Sequence, residues 1–211
     1  RLMPRPEAGP ATADPVALPI ALAAAVARAL AEDLGTAGDL TAAATVAADA
    51  SGSAEVVARA DGVVCGTAAV VEVFRQFDPG VTVTPTVVDG ATVEGGDVVA
   101  RLTGALRSIL AGERTALNLV GHLSGIATRT RAFVDAVGGR VAVRDTRKTT
   151  PGLRLLDKYA VRVGGGCNHR LRLDDALLVK DNHHAAAGSV AGAVAAALAG
   201  AHGRPVQVEV A

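Results

Sequence analysis

Tryptophan is absent from this 211-residue chain, tyrosine occurs once and phenylalanine three times. A stacking platform for single-stranded nucleic acid needs several aromatic faces, so that class of function is excluded. Neither sign of charge dominates. Twenty-one basic residues balance 21 acidic ones, which excludes a globally basic nucleic-acid binder and a polyacidic tail. Cysteine is nearly missing: Cys65 and Cys167 are too few for a disulfide framework or a cysteine zinc site, and they imply a reducing, cytoplasmic setting. A membrane span needs about 20 strongly apolar residues. Val16–Ala27 is shorter and Ala-rich, carries Pro19, and runs into Arg28, Glu32 and Asp33. Glu7 and Asp14 also sit where a secretory leader is free of acids. The expectation is a soluble chain, 50% hydrophobic, with ample material for a core.

Residues 1–13 hold three prolines and little apolar pattern, and are expected to be a flexible leader. A helix follows, with Asp14 as N-cap and Pro15 in its first turn. Residues 14–104 then read as a small α+β unit. Strands are expected at Ser53–Ala60, Val81–Val88 and Val98–Leu102, separated by Asp61-Gly62 and Asp89-Gly90 turns, with a helix over Ala68–Phe77. From Leu106 the apolar period becomes helical, which predicts one helix, or two broken near Gly121 or Gly125. The remainder of residues 105–211 alternates. Strand Val141–Arg144, helix Pro151–Val163 with Thr150 as N-cap, strand Leu177–Val179, helix Ser189–Leu198 and strand Val206–Val210 form successive parallel βα units. Three strands cannot close a barrel, so further βα units are expected beyond residue 211 in the natural protein.

Charge is distributed unevenly along this neutral chain. Between Arg140 and Lys180 lie ten bases and only four acids, and all three lysines (Lys148, Lys158 and Lys180) fall in that window. In an arginine-biased protein a retained lysine marks a place where a compact ammonium is useful. A merely solvated charged face is the competing reading. Position favours a site. Ligands of parallel α/β folds bind beyond the carboxyl ends of the strands. There the expected strands deliver Arg144-Asp145-Thr146-Arg147-Lys148, then Lys180-Asp181-Asn182-His183, then Glu209. Thr149-Thr150-Pro151-Gly152 at a helix start and Gly164-Gly165-Gly166 before Cys167-Asn168-His169-Arg170 both suit oxyanions. The reading is an anion site for more than one anionic group.

These same runs carry a resemblance. Asp145–Gly152, Lys158-Tyr159-Ala160-Val161, Gly164-Gly165-Gly166, Asn168-His169-Arg170 and Lys180–His183 closely resemble the quinolinate phosphoribosyltransferase family. Glu113–Asn118, Leu123–Thr128, Glu32-Asp33 with Gly38–Thr41, and Glu209 fit the same family. The resemblance implies an N-terminal α/β sandwich and an open α/β barrel, in a homodimer whose partner subunit helps complete each site. It implies transfer of phosphoribose from phosphoribosyl pyrophosphate, with Mg2+, to the ring nitrogen of quinolinate. Decarboxylation then gives nicotinate mononucleotide.

Quinolinate is a dianion with adjacent carboxylates, which planar guanidinium forks suit better than ammonium groups. The resemblance assigns that role to Arg147, Arg170 and, from the neighbouring subunit, Arg114, with His169 and Lys148 close by. Lys148 and Lys180 are expected to meet phosphate or pyrophosphate oxygens, and Glu209 to position the ribose or its Mg2+. Lys148, Lys180 and Glu209 are thus the expected catalytic group. His122 and His202 match no motif and are expected to be structural or exposed. His184 and Arg172 depart from the family pattern. Cys167 is expected to be loop filler, and Asp39 and Thr41 a structural turn.

Two rivals remain in view and a third does not. A molybdenum-operon homologue of the same family would take another anionic substrate. The chain could instead be a catalytically inactive anion-binding fragment. A lipoyl- or biotinyl-carrier fold, faintly suggested by Asp61–Val64 and Val93–Val99, fails because no lysine precedes Lys148.

Overall fold

The computed structural model describes residues 17–209. The expected leader, the Asp14 cap with Pro15, and Val210 lie outside them. Packing resolves two compact units that divide between Asn168 and His169.

The first unit begins with α1 (Ala17–Leu34), which buries Ala25, Val26 and Leu30 along one stripe. The sequence reading missed the short helix α2 (Leu40–Thr45). Asp39 supplies its N-cap, with Ala42 N–H donating to Asp39 Oδ1 at 2.9 Å, so the expected structural turn is a cap. Strand β1 (Ser51–Val57) alternates exposed and half-buried residues. The two-residue strands β2 (Gly62–Val63) and β4 (Thr92–Val93) pair antiparallel, and were also missed. Between them come α3 (Thr67–Phe77) and β3 (Thr82–Pro85). Strand β5 (Val98–Ala105) lies at the centre of an antiparallel sheet ordered β1-β5-β3, with Ala54 opposite Leu102 and Val83 also opposite Leu102.

Helix α3 is capped from a distance. Its N-cap, Gly66, has φ +96° and no side chain to offer. Asp89, on the turn before β4, replaces it. Its Oδ2 accepts from Gly66 N–H at 2.8 Å, while Oδ1 accepts from Thr67 N–H at 3.0 Å and the Thr67 hydroxyl at 2.7 Å. The Tyr159 hydroxyl donates to the same carboxylate at 2.9 Å. Burial, with Asp89 adding to it, raises both the Tyr159 phenol and the Cys65 thiol above their ordinary ranges. Cys65 therefore stays a protonated, unreactive core thiol at neutral pH.

One helix organises this unit. Helix α4 (Leu106–Val137) runs unbroken for 32 residues, so neither Gly121 nor Gly125 interrupts it. Its buried stripe, from Ile109 through Ala116, Leu119 and Leu123 to Ala127 and Thr130, recurs at three- and four-residue steps. Val26, Val70, Val73, Phe74 and Leu102 pack with the first half of that stripe. Val63, Cys65, Leu156 and Ala160 pack with the second. Its hydroxyls also serve the sheet ribbon: Ser124 Oγ accepts from Cys65 N–H at 2.9 Å and Thr128 Oγ1 from Val63 N–H at 2.8 Å.

The expected strand Val141–Arg144 is not formed. Only a single parallel bridge joins Arg144 to Cys167, made by Cys167 N–H to Val143 O at 2.8 Å and Asp145 N–H to Cys167 O at 3.1 Å. Two bonds without continuation do not make a ladder. The expected helix Pro151–Val163 is also shorter. Gly152, at φ +80°, turns the chain, and α5 (Arg154–Val163) starts after Leu153. Thr150 is therefore not the N-cap, and Pro151 is not in the first helical turn.

A buried ion pair fastens this region. Lys158 Nζ lies 2.6 Å from Asp145 Oδ1, with side chains 3% and 7% exposed. Asn168 Nδ2 donates to Asp145 Oδ2 at 2.7 Å and to Lys158 O at 2.8 Å. The charge of Lys158 is thus balanced by Asp145 inside the fold.

In the second unit β6 (Leu177–Val179) pairs parallel with β7 (Val206–Val208), as the βα pattern implied. Between them lie α6 (Asp181–Ala186), unforeseen, and α7 (Val190–Gly200), capped by Ser189 through Gly192 N–H at 3.0 Å.

Two tests address this packing. A Cβ on Gly164 would stand 2.4 Å from the backbone oxygen of Ala127, and one on Gly112 would stand 2.7 Å from the Phe74 ring. Gly164→Ala and Gly112→Ala should each cost about 1–3 kcal/mol. Gly164→Ala should cost more, because backbone yields less than a ring; urea midpoints read the order. Lys158→Met removes the cation beside the buried Asp145 and should cost about 3–5 kcal/mol, recovered largely by adding Asp145→Asn. Unchanged midpoints for Lys158→Met would show that the pair contributes nothing.

Candidate anion-binding site

In the first unit the candidate residues sit on the segment leaving the Arg144–Cys167 bridge. Asp145 is drawn inward by Lys158 and Asn168, which fixes where Thr146–Thr150 begins. Lys148 is exposed, and its N–H donates to Thr146 Oγ1 at 3.0 Å, a local turn that presents the ammonium to solvent. Arg147 is half-buried. Its Nε is fully covered yet has no hydrogen-bond partner among the described residues. A covered cationic donor without an acceptor is costly unless something anionic completes it.

The far end of this segment is already occupied. Asp157, on α5, accepts from Thr150 N–H at 2.8 Å through Oδ2, and its Oδ1 meets His122 Nε2 at 2.7 Å. The expected oxyanion place at the α5 start is therefore filled in part by the helix's own carboxylate. His122, read from sequence as structural or exposed, is a half-buried partner of that carboxylate. Arg114 is exposed on α4 and lines a largely apolar groove with Val56–Val64 of the same unit. No ion pair joins it to Glu113 among the described residues.

The second unit gathers its candidates around the parallel pair. Lys180 follows β6 and Glu209 follows β7, and adjacent strand ends place Lys180 Nζ 2.6 Å from Glu209 Oε2. Glu209 N–H continues the ladder to Val179 O at 2.9 Å. His183 Nδ1 accepts from Lys180 N–H at 3.0 Å, which leaves the ring proton on Nε2. His169 Nε2 meets Gln207 Oε1, on β7. Arg170 donates from Nη1 to Ala176 O at 2.9 Å, spending one guanidinium edge on the loop ahead of β6. Asp175 Oδ2 closes that loop by accepting from Leu171 and Arg172 N–H at 2.5 and 3.1 Å. Exposed Arg172 bonds Asp174 and holds its carboxyl below the usual range. His202 is exposed at φ +47°, and the half-buried His184 has an unpartnered Nε2.

Among the described residues no group of three or more His, Cys, Asp or Glu could hold a metal ion. Mg2+ commonly takes one or two carboxylates and completes its shell with substrate phosphates and water. Glu209, with one oxygen free of Lys180, fits that limited role and no larger one. Nor is any helix of the described residues long and apolar enough to cross a membrane.

Two family models match the chain in order. The N-terminal domain of quinolinate phosphoribosyl transferase matches residues 39–124 and its C-terminal domain matches residues 126–211. The chain is 50% identical over 182 residues to a carboxylating nicotinate-nucleotide pyrophosphorylase of Mycobacterium leprae, covering 85% of this chain and 64% of that one. It is 47% identical over 160 residues to the probable enzyme of that name from Bacillus subtilis, covering 75% and 55%. The crystal structure of NadC from Streptococcus pyogenes superposes with a TM-score of 0.85 at 44% identity, over 91% of this chain and 68% of that one. The chain thus spans less than two thirds of the length of both curated relatives, and the expected mixed α/β architecture is that of the solved neighbour. With both halves matched in sequence and in structure, the chain belongs to the quinolinate phosphoribosyl transferase family.

Proposed function

We propose that the full-length protein transfers phosphoribose from phosphoribosyl pyrophosphate to the ring nitrogen of quinolinate and decarboxylates the product to nicotinate mononucleotide. The observation that carries this reading is Arg147, whose covered Nε lacks a partner among the described residues, within a segment fastened by the Lys158–Asp145–Asn168 network. A guanidinium with an unused Nε donor suits a carboxylate ligand. Arg170, with donors beyond the one given to Ala176 O, and Arg114 from a second copy of the chain are the proposed further ligands of the dianion. His169 and Lys148 would flank them.

The chemistry follows from the charges. Attack by the ring nitrogen on the ribose C1 breaks the bond to pyrophosphate and passes through an oxocarbenium-like carbon, which a nearby carboxylate stabilises. Glu209 is the proposed carboxylate, and its Lys180 partner would stabilise the negative charge that grows on the departing pyrophosphate oxygens. Mg2+, entering with the pyrophosphate, would lower the charge of the leaving group. Alkylation makes the ring nitrogen positive. The C2–carboxylate bond then breaks to release CO2, its electron pair stays on C2 beside that positive nitrogen, and a proton replaces the carboxylate. The protein needs only to keep that carboxylate poorly solvated. The free thiols Cys65 and Cys167 accord with a cytoplasmic setting.

In the full-length protein, quinolinate should be consumed with phosphoribosyl pyrophosphate and Mg2+, releasing CO2, whereas nicotinate should not. Turnover of nicotinate alone would overturn the substrate. Arg147→Ala and Arg170→Ala should each raise the quinolinate KM by about 30- to 100-fold, corresponding to about 2–3 kcal/mol for a lost charged contact. Wild-type KM in both variants would place the dicarboxylate elsewhere.

A further inference from the structure

His122 lies on α4, eight residues beyond Arg114, and no motif claims it. Its side-chain partner among the described residues is Asp157: Nε2 stands 2.7 Å from Oδ1. Asp157 is nearly buried, with its side chain 8% exposed, so both oxygens need partners. Oδ2 has the backbone N–H of Thr150 at 2.8 Å, and Oδ1 has His122. Because the acceptor is a carboxylate, Nε2 carries the proton and donates.

Thr150 is three residues past Arg147 and two past Lys148. The segment between the Arg144–Cys167 bridge and α5 forms no helix or strand over residues 145–150, so no ladder holds it. It is held by side-chain contacts instead, one of them from Arg154 Nε to Thr149 Oγ1 at 3.1 Å. Asp145 is fastened to Lys158 and Asn168 at one end, and Thr150 to Asp157 at the other. Arg147 and Lys148 span the gap. Among these contacts, His122 is the second hydrogen-bond anchor on the Asp157 carboxylate that holds the Thr150 amide.

We infer that His122 is a positioning residue for the proposed dicarboxylate site, acting through Asp157 and the Thr150 amide to hold the Arg147–Lys148 segment in its binding geometry. The inference rests on the function proposed above, and two readouts separate the two. The first needs no turnover. The Thr150 amide should exchange with solvent at least tenfold faster in His122→Ala than in the wild type. His122→Gln, whose side-chain amide can also donate to Asp157, should retain the wild-type rate. The second is kinetic, in the full-length protein. His122→Ala should raise the quinolinate KM by about tenfold, with the phosphoribosyl pyrophosphate KM within about twofold of wild type. His122→Gln should restore it.

Unchanged Thr150 exchange in His122→Ala overturns the relay itself. Faster exchange with an unchanged quinolinate KM, in a wild type that turns quinolinate over, overturns the positioning role. A parallel rise in both KM values with a lowered urea midpoint, unrelieved by His122→Gln, shows a purely structural residue and overturns it as well. Faster exchange in a wild-type background that consumes no quinolinate overturns the proposed function while the relay stands.

Discussion

The contact between α4 and its neighbours is the constraint on which the first unit depends. A helix of 32 residues is long enough to touch α1, α3, the sheet and α5 in succession, and its buried stripe is built for close approach. Small residues make this possible. Gly112 admits the Phe74 ring, and Ala127 with Thr130 admits the backbone of Gly164. Beside that stripe α4 is polar, with Ser124 and Thr128 accepting from the amides of Cys65 and Val63. The helix therefore sets both the core and the place where α5 begins.

From α5 the dependence passes to the charged segment. Neighbouring positions of this helix meet three tasks: Leu156 and Ala160 fill the core beside Leu123 and Ala127, Asp157 holds Thr150, and Lys158 holds Asp145. The cation-rich window is thereby sorted. Lys158 is consumed by a buried acid, Lys180 shares an exposed acid, and Lys148 is left to solvent. Arginines diverge in the same way, since Arg107 closes the end of α2 through Val46 O and Ala43 O whereas Arg147 retains an unused donor. Composition alone treats these cations as equivalent, but burial and partners make them different chemical groups.

Much of the layout was legible because it is local. Apolar period gave α3 and α4, and the strand runs before Ala105 and at Leu177–Val179 and Val206–Val208 lie where alternation or a short apolar run, bounded by turns, placed them. The errors share a cause. Val141–Arg144 has strand composition, but a strand exists only through its neighbours, and here one bridge is all that forms. Thr150-Pro151 has the chemistry of a helix start, yet Gly152 and the pull of Asp157 on the Thr150 amide delay α5 to Arg154. The two-residue strands β2 and β4 and the six-residue helices α2 and α6 are too short to leave a period.

Family, element types and the roster of candidate cations were properties of the sequence itself, since motif order and residue chemistry survive without coordinates. Which cations are spent and which remain available was decided only in three dimensions. Lys158 finds Asp145 13 positions away, His122 finds Asp157 across 35, and Lys180 finds Glu209 across 29. The His122–Asp157 pairing follows from the crossing of α4 with α5, the Lys180–Glu209 pairing from the adjacency of β6 with β7, and the Lys158–Asp145 pairing from the bridge that sets Asp145 beside Cys167. Helix crossing and strand adjacency are set by packing of apolar faces, which one-dimensional spacing does not encode.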